Sequence, residues 1–126
     1  MASELLSPLQ TIVRRKVLLI SNTNATLSMS QDIINGSFVW DEEKETHNKR
    51  FHGLDFTLAS KAFFDPKCII VVDETHSELE ERFFCIGKVE DRCVTVRFTL
   101  RENKIRIIGA GYWRKGRKFY EAKYKI

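Results

Sequence analysis

Residues 93–100 read CVTVRFTL, and apolar and polar side chains alternate along this stretch. Val94, Val96, Phe98 and Leu100 fall on one side of an extended chain, and the residues between them fall on the other. This period of two predicts a strand with one apolar face and one polar face. We therefore expect a sheet with helices packed on one side and water on the other.

Three more apolar stretches, rich in β-branched and aromatic residues, surround this strand at residues 68–72, 82–86 and 104–110. The connections at residues 89–92 and 101–103 are short enough for antiparallel hairpins. The sequence thus predicts a four-stranded, mainly antiparallel sheet.

Two helices are predicted before the sheet. Asp41 follows a short strand-like stretch and precedes two glutamates, which is typical of a helix N-cap, and this helix should end near Gly53. A second helix should begin after Asp55 and end at Asp65, which precedes a proline. A third covers residues 113–124, which completes an α+β fold.

Residues 1–36 are rich in polar residues in their second half and show little periodicity. We interpret them as a poorly organised N-terminal extension of one domain at 37–126. Met29 is an alternative start, in which case residues 1–28 lie upstream of the native protein. No apolar run approaches the ~20 residues of a membrane-spanning helix.

The three cysteines Cys68, Cys85 and Cys93 lie in apolar runs, and their spacing matches no zinc or redox motif. They are expected to be buried thiols of a protein in the reducing cytoplasm.

The net charge of +4 is unevenly distributed. Residues 37–100 carry nine basic and thirteen acidic groups, whereas residues 101–126 carry nine basic and two acidic groups. A concentrated basic end indicates an anion-binding surface, or else a solvated tail.

Four stretches in register resemble the BrnT family of toxins from type II toxin–antitoxin systems. They are FVWD at 38–41 with Lys44 and Asn48; His52, Gly53, Phe56, Ala59, Phe63 and Asp65; Asp73, His76, ERF at 81–83 and IG at 86–87; and IRII at 105–108 with Ala110. The resemblance covers residues 38–124.

This resemblance implies a RelE-like fold, with two N-terminal helices, the four-stranded sheet and a C-terminal helix. It also implies a cytoplasmic endoribonuclease that cleaves cellular RNA without a metal or cofactor. A BrnA-type antitoxin would neutralise the enzyme in a hetero-oligomer. The alternative is a degenerate homologue that binds RNA or antitoxin without cutting.

Two family cations are replaced. The lysine that precedes His-Gly in the family is Phe51 here, and the arginine of the final motif is Gly111. Basic residues adjacent to both positions are available to supply the charge.

Metal-free RNA cleavage needs groups that move protons and cations that hold the charge on phosphorus. The proposed catalytic residues are His76, Arg82, Arg106 and His52, and the proposed RNA-binding residues are Arg97, Arg114, Lys115, Arg117, Lys118, Lys49 and Arg50. His76 is preferred for proton transfer because imidazole titrates near neutral pH, although it is also placed to pair with Asp73. His52 has the alternative of closing the first helix.

Other readings of these groups stay open. The strand arginines would be ordinary exposed cations if they pair with Glu80 or Glu81. The acidic run that includes Glu78 is either solvated or a metal site. Tyr112 and Trp113 either stack on bases or anchor the last helix.

Overall fold

The computed structural model describes residues 32–35, 37–76 and 80–125. The predictions for Met29 and for most of the N-terminal extension lie outside the described residues. A short strand, Asp32–Asn35, is described within that extension.

The described residues form six strands, three α-helices and two 3₁₀ segments. The strands are β1 (Asp32–Asn35), β2 (Phe38–Asp41), β3 (Ile69–Val72), β4 (Phe83–Val89), β5 (Arg92–Arg101) and β6 (Lys104–Gly111). The helices are α1 (Glu42–His52), α2 (Phe56–Ser60) and α3 (Arg114–Tyr124), and the 3₁₀ segments are Lys61–Phe64 and Glu74–His76. None of these helices is both long enough and apolar enough to cross a membrane.

The strands form one mixed sheet in the order β1-β2-β6-β5-β4-β3. The four predicted strands are present and antiparallel to their sequence neighbours. The predicted number of four was wrong, because β1 and β2 extend the sheet and β2 pairs in parallel with β6. A pairing between the two ends of the domain leaves no local signal in the sequence.

The predicted ends of α1 are confirmed. Asp41 has extended backbone angles, and its carboxylate accepts a hydrogen bond of 2.8 Å from the backbone N–H of Glu43. At the other end, Gly53 has a φ of 66°, and its N–H donates to the Lys49 carbonyl. The left-handed conformation at Gly53 is one that glycine adopts without steric cost.

Both predicted hairpins are confirmed. The turns contain Glu90 and Asp91, with φ of 51° and 68°, and Glu102 and Asn103, with φ of 47° and 65°. Two successive left-handed residues give the turn whose twist matches paired strands.

The main core lies between the sheet and the segment 54–63, which includes α2, whereas α1 buries only the polar Asn48. Val94, Val96 and Phe98 are fully buried there, as the alternation predicts. We call this the inner face of the sheet, and the face that carries Thr95 and Arg97 the outer face.

The prediction that the second face is open to water was wrong in part, because α3 packs on it. Tyr120 of α3 is buried against Ile69 and Ile86, whose side chains lie on the outer face. Gly116 allows this contact, since a Cβ there would collide with the Thr95 hydroxyl. The sheet therefore has helices on both sides.

The cysteine prediction is confirmed for two residues. None of the three forms a disulfide within the described residues; Cys68 and Cys85 are buried, and Cys93 is half-buried. Burial raises the pKa of the Cys93 thiol.

Candidate functional site

A cavity of about 490 Å³ opens between α1 and the outer face of the sheet. We call it the cationic cavity. It is lined by Asp41, Glu43, Lys44, His47, Asn48, Arg82, Arg97 and Ile108. Its three cations, two carboxylates and one imidazole meet at the part of the outer face that α3 leaves uncovered.

One wall of the cationic cavity is a face of α1. Asp41, Lys44 and Asn48 follow one another at intervals of three and four residues, so their side chains share one side of the helix. Asn48 is buried and fixes the helix to the sheet, because its amide oxygen accepts from the Ala110 N–H at 3.0 Å and its NH₂ donates to the Leu54 carbonyl at 2.8 Å.

The opposite wall comes from the sheet. Arg82 immediately precedes β4, and Arg97 is on the outer face of β5. A bulge in β6 adds Ile108, because Arg97 pairs with Gly109 whereas the next residue, Phe98, pairs with Ile107. The extra residue turns the Ile108 side chain toward the cavity.

A buried carboxylate holds Arg97. Its Nε lies 3.4 Å from the Asp73 Oδ2, and Asp73 is only 3% exposed, compared with 30% for the arginine side chain. Thr75 donates a hydrogen bond of 2.9 Å to the other Asp73 oxygen. The guanidinium carbon lies 5.8 Å from the centre of the Phe84 ring. Arg97 is thus restrained, yet open to the cavity.

Arg82 and Arg97 both line the cationic cavity, whereas Arg106 does not. Arg106 is on the same face of the sheet, between Val39 and Thr99 on the neighbouring strands, and it is only 4% exposed. Its catalytic role stays a prediction.

His47 lines the cationic cavity beside the two arginines, and the sequence analysis did not propose it as a site residue. It is exposed, and its ring lies 4.4 Å from the Phe51 ring between centroids. The available signal was its position three residues after Lys44 and six after Asp41, on the side of α1 that faces the arginines.

The two predicted histidines lie at other points of the chain. His76 ends the 3₁₀ segment that follows β3, three residues after Asp73, the partner of Arg97. His52 is the last residue of α1 and is exposed, with its ring edge-on to Trp113 at 5.4 Å. His52 does not line the cationic cavity. The role of His76 stays a prediction.

An apolar groove of about 710 Å³ continues from the cationic cavity between β3, β4, β5 and α3. Its lining includes Phe84, Trp113 and Phe119, of which Phe119 is half exposed. Arg97 borders both spaces, so the groove and the cavity are adjacent.

Apart from Arg97, the predicted RNA-binding cations are divided between α3 and α1. Arg114 and Lys115 line the groove, Arg117 lines a separate small pocket, and Lys118 is exposed on α3. Lys49 and Arg50 are exposed on α1, and Arg50 lies 5.6 Å from the Phe51 ring centre.

The structure explains one of the two family departures. The Trp113 ring lies over Gly111, where a Cβ would be 2.7 Å from Cε2, so an arginine fits at 111 only if the indole moves. At the other position, Phe51 is 61% exposed beside His47 and Arg50.

The acidic run does not form a metal site in the described part of the chain. Glu80 is buried and accepts two hydrogen bonds from Arg101, at 2.6 and 3.0 Å, whereas Glu78 is outside the described residues. Across the described ranges, no group of three or more metal-ligating side chains is close enough together to hold an ion.

A phosphate in the cationic cavity would meet two guanidinium groups and one ammonium, with an imidazole and carboxylates beside it. Those are the groups that phosphodiester cleavage requires, namely cations for the charge on phosphorus and proton donors and acceptors.

Comparison with known proteins agrees with this chemistry. Residues 40–116, more than half of the chain, match the family described as "Ribonuclease toxin, BrnT, of type II toxin-antitoxin system". No curated protein matches the chain. The matched span includes α1, both walls of the cationic cavity and the first residues of α3. The chain therefore belongs to the BrnT family of ribonuclease toxins.

Proposed function

We propose that this protein is a metal-independent endoribonuclease that cleaves cellular RNA in the cationic cavity. One observation carries the proposal: the cavity gathers Arg82, Arg97 and Lys44 beside His47 on an open face of the sheet. The proposal covers RNA cleavage by this chain, in the cytoplasm, with no cofactor.

The proposed reaction is attack by a ribose 2′-oxygen on the adjacent phosphorus. A base takes the 2′-hydroxyl proton, the P–O5′ bond breaks, and the 5′-oxygen takes up a proton. The products are a 2′,3′-cyclic phosphate and a 5′-hydroxyl. In this scheme, Arg97 and Arg82 stabilise the charge that builds on the phosphoryl oxygens. His47 moves a proton, with the cavity carboxylates as further acceptors.

Arg97 suits the charge-stabilising role because Asp73 restrains it before substrate arrives. An arginine that is already oriented loses little conformational freedom when it binds phosphate, and its planar fork matches two phosphate oxygens. Arg106, which is buried, would act through the sheet rather than on the substrate, and His76 remains a second candidate for proton transfer.

The first experiment is expression of the chain without any partner, with cellular RNA followed over time. Growth arrest with RNA fragments is expected. In vitro, the purified protein should cut labelled RNA in the presence of EDTA, and a single 2′-deoxy substitution at the cut position should block that cut. Intact RNA in both settings would refute the proposal.

Variants then test the site. Arg97→Ala should lower cleavage about 100-fold or more, as loss of a charge-stabilising donor does elsewhere. His47→Ala should lower it by about 100-fold. Lys123→Ala is the matched control, because it removes an exposed cation far along α3 and should leave cleavage unchanged. His76→Ala in the same series tests the other histidine.

The second candidate function is binding without cleavage, by a degenerate homologue. The loss of both family cations favours it, and the Trp113 ring over Gly111 adds to the case. A chain that retains RNA or antitoxin binding but leaves RNA intact, even at high enzyme concentration, would support this alternative.

We also propose that a BrnA-type antitoxin binds and neutralises the protein in a hetero-oligomer. The family belongs to toxin–antitoxin systems, which supports such a partner. Co-expression of the small open reading frame next to the gene should relieve growth arrest, and the two proteins should purify together. Arrest that persists with no complex would refute this part.

A further inference from the structure

A second pocket, of about 300 Å³, lies where β5 begins and β6 ends, beside the first turn of α3. We call it the arginine pocket. It is lined by Asp91, Arg92, Cys93, Tyr112, Arg114 and Arg117. From this pocket we infer a second phosphate-binding subsite, which holds the backbone of unpaired RNA at a distance from the cut. The inference rests on the proposed function and names the form of its substrate.

One arginine of this pocket, Arg92, is held by an aromatic ring. The Arg92 guanidinium carbon lies 3.4 Å from the centre of the Tyr112 ring, so the group stacks on the ring face. Stacking leaves the N–H groups of the guanidinium available as donors. Arg114 and Arg117 are three residues apart on α3, which places them on the same side of the helix.

The charge of the arginine pocket is not neutralised within the protein. Within residues 32–35, 37–76 and 80–125, Arg92, Arg114 and Arg117 form no ion pair. Asp91 is the single carboxylate in the lining. Three clustered guanidinium groups favour an anionic ligand, and their planar forks match phosphate.

The start of α3 adds to this positive potential. Trp113 occupies the N-cap position and makes no side-chain hydrogen bond to the first turn. The first backbone N–H groups of an α-helix have no partners within the helix and carry its partial positive charge. A phosphate in the arginine pocket would lie near this helix end as well as near the arginines.

The apolar groove lies between the arginine pocket and the cationic cavity and shares a lining residue with each. Arg114, from α3 on the outer face, borders both the pocket and the groove, and Arg97 borders the groove and the cavity. Arg92 is five residues before Arg97 on β5, about 17 Å along the strand, and the alternation directs it toward the other face, so it reaches the pocket at the end of the strand. One RNA strand can thus have phosphates at both ends while the intervening bases lie over Phe84 and Trp113. Bases must be unpaired to meet such side chains, so the substrate is single-stranded RNA.

The test uses the complete chain and a 2′-O-methyl oligonucleotide, which binds but cannot be cut. Dissociation constants are measured over a range of KCl concentrations. For single strands, each lost phosphate contact lowers the slope of log K against log salt by about 0.7. Arg92→Ala and Arg117→Ala should each reduce the slope by about this amount.

Lys123→Ala is again the control, because it removes the same charge from α3 outside the pocket and should preserve the slope. A dinucleotide substrate, too short to reach both sites, should be cut equally well by the parent and by Arg92→Ala. A longer RNA should show a raised KM with Arg92→Ala.

The outcomes separate the two proposals. Unchanged slopes for Arg92→Ala and Arg117→Ala, with Arg97→Ala still impaired, would overturn the subsite and leave the proposed function intact. An equal reduction of the salt slope in Lys123→Ala would also overturn the subsite. Loss of antitoxin binding at an unchanged RNA slope would assign the pocket to an acidic protein segment instead. If the parent never cuts RNA but Arg92→Ala and Arg117→Ala still bind RNA with reduced salt slopes, the subsite is supported and the proposed cleavage is refuted.

Discussion

Strand alternation predicts which way a side chain points but not how deeply it is buried. Arg97 and Arg106 were assigned correctly to the polar side of their strands. Both have a strand on each side, but Arg106 lies between the side chains of Val39 and Thr99, whereas one neighbour of Arg97 is Gly109, which has no side chain to cover it. The pairing of Arg106 with β2 is not visible in the sequence. His47 was missed for a related reason, since its role depends on what lies opposite α1.

The Arg101–Glu80 pair gives a prediction at the residue scale. The two groups are 16% and 6% exposed and are joined by two hydrogen bonds. Removal of Arg101 leaves the Glu80 carboxylate buried without its cationic partner. Arg101→Ala should therefore lower the free energy of unfolding by about 3 kcal/mol. Urea denaturation of Arg101→Met with Glu80→Leu should show a smaller loss. An equal or larger loss in the double variant would contradict this account.

Tyr120 and Asp65 give a second prediction. The Tyr120 hydroxyl donates to Asp65 Oδ2 at 2.6 Å, and burial together with this bond raises the Tyr120 pKa above its ordinary range. The phenol is therefore a neutral donor at neutral pH. Tyr120→Phe should lower the free energy of unfolding by about 2 kcal/mol, the usual value of a bond to a charged group. A change below 0.5 kcal/mol, on the order of a typical surface substitution, would show that the bond is unimportant.

Asp65 also predicts a pH dependence. Burial raises its pKa, but hydrogen bonds from the Lys88 and Lys67 N–H groups and from Tyr120 outweigh burial, so the pKa lies below the ordinary 3.8. The unfolded chain then binds this proton more tightly than the folded protein does. The stabilisation is therefore complete well above pH 3.8 and is lost as the pH falls through the folded pKa. Measured by urea unfolding between about pH 2 and 6, the free energy of unfolding should fall less at acid pH in Asp65→Asn than in the parent. Parallel curves of unfolding free energy against pH would contradict this.

At the scale of elements, the sequence predicts the features that adjacent residues determine and misses those that depend on residues far apart in the chain. The caps of α1 and both hairpins were predictable because a few adjacent residues determine them. The position of α3 was not, since Cys93, Thr95 and Arg97 look like a water-facing strand surface. Thr95 and Gly116 are small enough to let the helix approach, and a pattern of polarity does not show that fit.

Gly116→Ala tests this contact. Alanine favours an isolated helix by about 1 kcal/mol, yet its Cβ would collide with the Thr95 hydroxyl. We expect a net loss of about 2 kcal/mol in stability on urea denaturation, as for other overpacked interfaces. Thr95→Ala in the same chain should restore part of it. Lys118→Ala, on the exposed side of α3, is the control. A Gly116→Ala variant more stable than the parent would contradict the close contact with Thr95.

At the scale of the whole molecule, the two ends of the domain meet in the sheet. Phe38, Val39 and Trp40 pair with Ile105, Arg106 and Ile107. This junction places α1 beside the C-terminal half of β6 and so creates the cationic cavity. The sequence predicts the fold class and most elements from local pattern, whereas the cavity exists only through this distant pairing.

The sheet order predicts a hierarchy of local stability. β5 has a strand on each edge and helices over both faces, whereas β3 is an edge strand. Native-state hydrogen exchange should therefore find the slowest amides in β5 and its partner β6, opening only with global unfolding. Faster exchange in β5 than in β3 would contradict this description.

The positions of the two tryptophans give the protein two separate optical reporters. Trp40 is 2% exposed in the main core, so its fluorescence should change only when the domain unfolds. Trp113 lies over Gly111 at the mouth of the groove, edge-on to His52. Its emission should respond when RNA occupies the groove. With Trp40 unchanged, quenching of Trp113 alone would distinguish ligand binding from unfolding in a single titration.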